Sequence, residues 1–217
     1  MTRLQKDGPP PTRLLDLPPD FVEALNGIQA ARVRPEVRLV ECPAPQQLAP
    51  YAAAVLATVT IAGEDVATGR LILLCDPAGQ EAWEGRLRLV TYLRTTLEAE
   101  FITDPLLPEV AWGWLAETLA GHDLSLVAAG GTVTRVQSHP FGELADDDAE
   151  PGGELEIRAS WSPLEGDLAG HVEAWIEVLC TACGLPPTPP GVVQMPGTSG
   201  APRRAGVKRG ATGRRGR

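Results

Sequence analysis

Between residues 51 and 97, apolar side chains recur at every second position, and this pattern constrains the fold of the chain more than any other feature. Alternate side chains from Tyr51 to Ile61 would share one face of an extended strand. The Ala-Gly-Glu-Asp segment that follows is typical of a turn, and two further strands are predicted from Val66 to Cys75 and from Trp83 to about Leu97. Successive strands joined by short turns form an antiparallel meander, so the sequence predicts a sheet at the centre of the fold.

Helices and further strands flank this meander. Three amphipathic helices are predicted, beginning after Pro18, Asp104 and Asp167 and ending before Pro35, at Gly121 and at Gly184. Additional strands are predicted at residues 37–42, 131–138 and 154–162. Because the strands have one polar face, the helices are expected to cover only the other. The predicted fold class is therefore α+β, an antiparallel sheet of about five to six strands packed on one face by three helices.

Charge and composition divide the chain into three parts. Residues 1–17 form a loose, Pro-rich N-terminus, residues 18–185 a single α+β domain, and residues 186–217 a basic tail that we expect to be disordered. The net charge of −9 conceals an asymmetry, because the seven positive charges of the tail leave the body near −16. The tail's positive residues are Arg203, Arg204, Lys208, Arg209, Arg214, Arg215 and Arg217.

The cysteine content and the N-terminal sequence predict a cytoplasmic protein. Four cysteines in 217 residues are too few for a disulfide scaffold, which favours reduced thiols. Residues 1–7 contain no apolar leader, so no secretory signal is predicted. The charge-free stretch from Cys42 to Gly63 is too polar, and too often interrupted by proline, for a membrane span.

Six segments that follow one another along the chain resemble a known family. They are RPEVRLVECPAPQQLAPYA, ATGRLILLCDPAGQEAWEGRLRLVTYLR, DPLLPEVAWGWL, GTVTRV, EIRASW and HVEAWIEVLCTACGLPP. Together they resemble an actinobacterial family known only as domain of unknown function 3000, over roughly residues 18–187. The resemblance implies a cytosolic protein of a Gram-positive, high-GC lineage. It implies no activity and supplies no catalytic residue.

Reactive side chains are present but do not form a recognisable catalytic or metal-binding pattern. Cys180 and Cys183 have C-x-x-C spacing, yet they lie at the predicted C-terminal end of a helix, where the dipole does not lower a thiol pKa. A redox or metal role and a structural role both remain open for them. His122, His139 and His171 are dispersed along the chain. Asp146–Asp148 and Glu150 form an acidic loop without the ligand spacing of a calcium loop.

The residues predicted for a partner surface are arginines and one tryptophan. Arg86, Arg88, Arg94 and Arg158 are expected on the polar face of the sheet, where they either contact a partner or pair with Glu154 and Glu156. Trp112 lies at the edge of an apolar helix stripe, as a partner anchor or simply packed. The basic tail either contacts nucleic acid phosphates or lies loosely against the acidic body.

Three functions are compatible with these features. The favoured one is a non-enzymatic partner-binding or regulatory module, because one sheet face is expected to be open and no nucleophile is paired with a base. One alternative is an enzyme or small-molecule binder with a pocket that leaves no sequence signal. Another is an RNA-associated protein that acts through the tail. We expect a protein partner, weak nonspecific nucleic acid binding by the tail, and no membrane, cofactor or metal.

Overall fold

Six antiparallel strands form one sheet in the computed structural model, which describes residues 17–144 and 152–187. The strands are β1 (Val37–Cys42), β2 (Tyr51–Ile61), β3 (Glu64–Gln80), β4 (Gly85–Leu97), β5 (Leu126–Gln137) and β6 (Gly153–Pro163). The helices are α1 (Pro19–Ala30), α2 (Ala99–Thr103), α3 (Leu107–Gly121) and α4 (Ala169–Ala182). Neighbouring strands follow the order β1-β2-β3-β4-β6-β5. The α+β class and the antiparallel sheet are therefore confirmed.

Two strands are longer than their sequence patterns predict. β3 continues through Asp-Pro-Ala-Gly to Gln80, because Gly79 at φ 77° lets the chain bulge between Cys75 and Gln80 instead of turning. β5 begins at Leu126, ahead of the predicted Gly131, and a second bulge separates Val127 from Gly130. The short helix α2 was not predicted. Its last carbonyls accept hydrogen bonds from Arg135 of β5, whose Nη1 lies 3.2 Å from Ile102 O and 2.6 Å from Asp104 O.

One face of the sheet is buried under the helices. Its side chains come from alternate strand positions and pack against α1, α3 and α4 in one apolar cluster. α4 is the most deeply buried helix, and its Trp175 donates a 2.7 Å hydrogen bond from Nε1 to Thr91 Oγ1 on β4. That bond satisfies both polar groups in an otherwise apolar layer. The core thus lies on the helix-covered face, and no described helix covers the opposite face.

Close contact between α4 and the sheet depends on Gly69 of β3. A Cβ atom at this position would lie 2.8 Å from Leu93 Cδ2, 2.9 Å from Trp175 Cζ2 and 3.2 Å from Leu179 Cδ2. These separations are shorter than van der Waals contact, so a Cβ at this position forces the side chains of Leu93, Trp175 or Leu179 to shift. The missing side chain is therefore a packing requirement.

We predict that Gly69→Ala lowers the free energy of unfolding by about 1–3 kcal/mol, because the added methyl group overpacks the core. Gly130→Ala in β5 is the matched control, since a Cβ there meets no atom within 4 Å. The control is expected to change stability by no more than about 1 kcal/mol. Urea denaturation of both variants measures the difference, and equal stabilities would contradict the packing role of Gly69.

Candidate functional site

The face of the sheet that points away from the helices is a candidate binding surface. We call it the open face. Strand register places Val40 beside Leu56 and Ile72 beside Val90, and Tyr92 follows Val90 by two positions along β4. These five residues form an apolar strip across four strands, partly exposed to solvent. Only Val40 is exposed, and the other four side chains are half-buried, so the strip offers a partner apolar contacts between charged neighbours.

Arginines surround the apolar strip. The described residues contain nine arginines and no lysine, and five of the arginines project from the open face. These five are Arg38, Arg70, Arg88, Arg94 and Arg158. Arg38, which is exposed, has no hydrogen-bond or ion-pair partner among residues 17–144 and 152–187. The open face is therefore basic, although the described chain contains 22 acidic residues.

Two glutamates of β6 pair with part of this arginine set. Arg94 forms an ion pair with Glu154, and Arg158 Nη2 lies 3.0 Å from Glu156 Oε2. The Arg158 guanidinium also lies 5.3 Å from the centre of the Tyr92 ring, and Tyr92 donates a 2.7 Å hydrogen bond to Glu156. Burial, followed by this bond, raises the pKa of Tyr92. Pairing between β4 and β6, together with the Arg158–Glu156 pair along β6, thus orders these side chains in the free protein.

The remaining predicted arginines differ in their surroundings. Arg88 is held within the face by bonds to Ser160 Oγ at 2.7 Å, Ser162 Oγ at 3.1 Å and Ala128 O at 2.8 Å, and its burial lowers its pKa. Arg86 instead pairs with Asp20 of α1 at 3.1 Å. The structure therefore brings Arg88, Arg94 and Arg158 together and directs Arg86 towards the helix layer.

Two arginines of the open face, Arg38 and Arg70, were not among the predicted site residues. Arg70 lies directly opposite Tyr92 in the register, and its Nη2 donates to Pro43 O in the β1–β2 connection. Both alternate with apolar core residues in their strands, and this alternation is the signal that would have identified them.

Trp112 lies at a groove between α3 and β5. The groove has a volume of about 230 Å³, and its lining includes Trp112, Leu119, Leu126, Ala129 and Trp161. Trp112 is partly buried above Gly131, where an added Cβ would come within 2.8 Å of Cζ3 of the indole. The bulge in β5 directs Ala129 towards this groove, so the backbone irregularity contributes to its shape. Trp112 therefore both packs on the core and borders a cavity.

Cys180 and Cys183 occupy the C-terminal end of α4, as predicted. Burial raises the pKa of Cys180 to about 12 and also raises the pKa of Cys183. Cys183 Sγ contacts Cys180 O at 3.2 Å. A thiol with so high a pKa is almost wholly protonated at neutral pH and is therefore a weak nucleophile. All four cysteines are free thiols.

The three histidines do not converge on a common site. His122 Nε2 lies 2.9 Å from Glu177 Oε2 and links α3 to α4, while His139 is exposed in the chain beyond β5. His171 is fully buried on α4, and its Nδ1 accepts a 3.2 Å hydrogen bond from Trp161 Nε1. Because an indole nitrogen only donates, His171 must be neutral, with its proton on Nε2. Burial lowers its pKa to about 4, against the opposing influence of Glu165 and Asp167.

We predict that His171 makes the protein less stable as pH falls from 6.5 to about 4. In this interval the unfolded chain binds a proton at His171 that the folded chain does not, so the free energy of unfolding decreases with falling pH. The full effect is about 3 kcal/mol and is complete below the folded pKa. His171→Asn keeps an acceptor for Trp161 but does not titrate. Urea denaturation from pH 4 to 7 should show a steeper pH dependence for the wild type than for the variant, and equal slopes would contradict the prediction.

Several predicted features lie outside the described residues. They are residues 1–16 of the Pro-rich N-terminus predicted for 1–17, the acidic residues Asp146–Asp148 and Glu150, and the tail with Arg203, Arg204, Lys208, Arg209, Arg214, Arg215 and Arg217. Within residues 17–144 and 152–187, no group of three or more histidines, cysteines, aspartates or glutamates is arranged to hold a metal ion. In the same part of the chain, no helix combines the length and apolarity needed to cross a membrane.

Comparison with known proteins connects this chain to one family. The model of a family described as "Protein of unknown function (DUF3000)" matches residues 17–193. No curated protein and no solved structure matches the chain. The match covers all the strands and helices described above, including both the open face and the groove.

Proposed function

Because the chain belongs to the DUF3000 family, whose description assigns no activity, we propose from its surfaces that it is a non-enzymatic module that binds an acidic protein partner. The open face of the sheet is the binding surface. The partner contributes carboxylates to the arginines and apolar side chains to the strip of Val40, Leu56, Ile72, Val90 and Tyr92. The four free thiols support a cytoplasmic setting for this module.

The segregation of charge is the observation that carries this proposal. Five of the nine arginines in the described residues share one face, whereas most of the 22 acids lie elsewhere. An acidic partner is attracted to this face and repelled by the rest of the surface, which selects both the site and the orientation of binding.

The composition of the open face also suits a protein interface. Interface cores are enriched in aromatic residues and arginine and contain few lysines. The arginines next to the strip are already ordered by Glu154, Glu156, Ser160 and Ser162, so less side-chain entropy is lost when a partner binds. Arg38 is unpaired within the described chain and can form a new ion pair without breaking an existing one.

We predict that Val40→Asp abolishes partner binding, because it places a carboxylate within both the strip and the arginine set. Val40 is 37% exposed, so the substitution is tolerated by the fold. Val110→Asp is the matched control, since Val110 is 48% exposed on α3 in the helix layer. Full-length wild type and both variants are used as baits in a cytosolic extract of the native host, and retained proteins are identified by mass spectrometry.

The expected outcome is an acidic protein retained by the wild type and by Val110→Asp but not by Val40→Asp. Its affinity, measured with the purified partner by calorimetry, should fall as salt concentration rises. Nuclease treatment of the extract separates protein binding from capture through RNA. If all retained material is lost with nuclease, or if Val40→Asp binds as tightly as the wild type, the proposal is wrong.

The groove beside Trp112 favours a second function, the binding of a small apolar group. Its volume of about 230 Å³ lies below the range of about 300–1,000 Å³ for pockets that hold drug-sized ligands. It exceeds the cavity of about 150 Å³ that suffices for benzene in an engineered protein. The groove therefore suits a single ring or a short aliphatic group, with the indoles of Trp112 and Trp161 in its walls.

For this second function, we predict that toluene raises the thermal midpoint of the wild-type protein and shifts its tryptophan fluorescence. Ala116→Phe fills the groove from the α3 side and should remove both effects. Val110→Phe adds the same ring on another side of α3 and should retain them. An unchanged midpoint for the wild type in saturated toluene would exclude binding in the groove.

A further inference from the structure

The sheet ends in two free edges of very different character. β1 forms one edge; it has six residues and includes Arg38 and Glu41. β5 forms the other edge; it has twelve residues, and its only charged side chain is Arg135. Short, charged edge strands resist pairing with other chains, whereas long neutral ones favour it. Of the two edges, β5 is the one available for pairing.

The outer side of β5 has unused backbone groups. From Gly130 to Gln137 every residue except Val133 is exposed, and β6 pairs with only one side of the strand. Outside β6, no described residue forms a hydrogen bond with the backbone of this segment. An extended chain laid along this side would therefore gain main-chain hydrogen bonds without displacing any described contact.

The sequence of the strand is complementary to itself around Val133. In an antiparallel pair centred on this residue, Thr132 lies opposite Thr134 of the second copy, and Thr134 opposite its Thr132. Threonine pairs across strands stabilise sheets, and Val133 faces its own equivalent on the helix-covered side. A twofold axis at Val133 thus gives the isologous contact that closed dimers require.

Charge also permits the approach of a second copy at this edge, even though the described chain as a whole is acidic. β5 contains no acidic residue, so no carboxylates within the strand oppose each other across the axis. Arg135 falls opposite Gly131 of the second copy, and its guanidinium is directed to the carbonyls of Ile102 and Asp104 in its own chain. Neither like-charge repulsion nor side-chain bulk blocks pairing here.

We propose that this edge is a dimer interface, in which β5 of one copy pairs antiparallel with β5 of a second copy about Val133. The two sheets then form one continuous sheet of twelve strands, with both helix layers on one side and both open faces on the other. The proposal is independent of the proposed function, because it requires only the purified protein.

Charge substitutions at the two threonines test the pairing and its register. Thr132 faces Arg158 of its own chain and Thr134 faces Glu156. The double variant Thr132→Glu/Thr134→Glu places carboxylates opposite carboxylates across the axis and should be monomeric. The matched control is Thr132→Glu/Thr134→Lys. Within the chain it places a carboxylate beside Arg158 and an ammonium beside Glu156, and across the axis it places a carboxylate opposite an ammonium, so it should remain dimeric.

Sedimentation velocity of the full-length chain over a range of concentrations measures the assembly state, and circular dichroism checks that each variant folds. A wild type that stays monomeric up to millimolar concentration overturns the proposal, as does a Glu/Glu variant that dimerises as well as the wild type. Loss of the dimer in the Glu/Lys control as well would also overturn the proposed register.

Cysteine crosslinking gives a second test that does not depend on the charge variants. Val133→Cys places two thiols opposite each other at the axis, and mild oxidation should join them rapidly. Val136→Cys places the two thiols about 20 Å apart along the strands and should not crosslink at a comparable rate. Faster crosslinking at position 136 than at position 133 would contradict pairing about Val133.

Discussion

The packing of α4 against the middle strands underlies the rest of the structure. The helix lies so close to Gly69 that a Cβ there would come within 2.9 Å of Trp175 and 3.2 Å of Leu179. Trp175 fills the space beside this glycine, and its indole N–H donates a hydrogen bond to Thr91. The contact is therefore close, and the buried polar groups of both residues are hydrogen-bonded. α1 and α3 complete the same layer. Because all three cover the same side, residues 17–144 and 152–187 supply no helix for the other face.

A sheet covered on one side must accommodate solvent, a partner or both on the other. Here the open face combines an apolar strip with five arginines, two of which pair with Glu154 and Glu156. Ion pairing alone explains an ordered polar surface in the free protein. Ion pairing does not account for the apolar side chains between the charges, or for Arg38, which has no partner within the described residues. The proposed function would use this combination, because a surface that accepts apolar and acidic groups together needs both.

The groove and the free edge are both consequences of the way β5 joins the sheet. The strand pairs with β6 alone, and its bulge after Val127 turns Ala129 towards α3. Trp112 then packs over Gly131, where a side chain would leave no room for the indole. The irregularity near one end thus opens a cavity, and in the regular segment that follows the outer backbone has no partner among the described residues. One strand therefore supports two separate binding hypotheses.

The alternation of side chains determined much of this structure, because period-two patterns decide which residues of a strand must be buried together. In β4, for example, this alternation buries Leu87, Leu89 and Leu93 and leaves Arg88 and Arg94 on the opposite face. The short turns of the meander already gave the order β2-β3-β4. The position of β6 beside β4, with β5 outside it, was decided only by the tertiary structure, since pairing between distant strands depends on how the helices pack. It made β5 an edge, while the packing of α1 brought Asp20 to Arg86 and strand pairing aligned Val40, Leu56, Ile72 and Val90 into a strip. The physical reason is that local patterns specify which side of a strand is apolar, whereas a surface is formed from residues that only packing brings together.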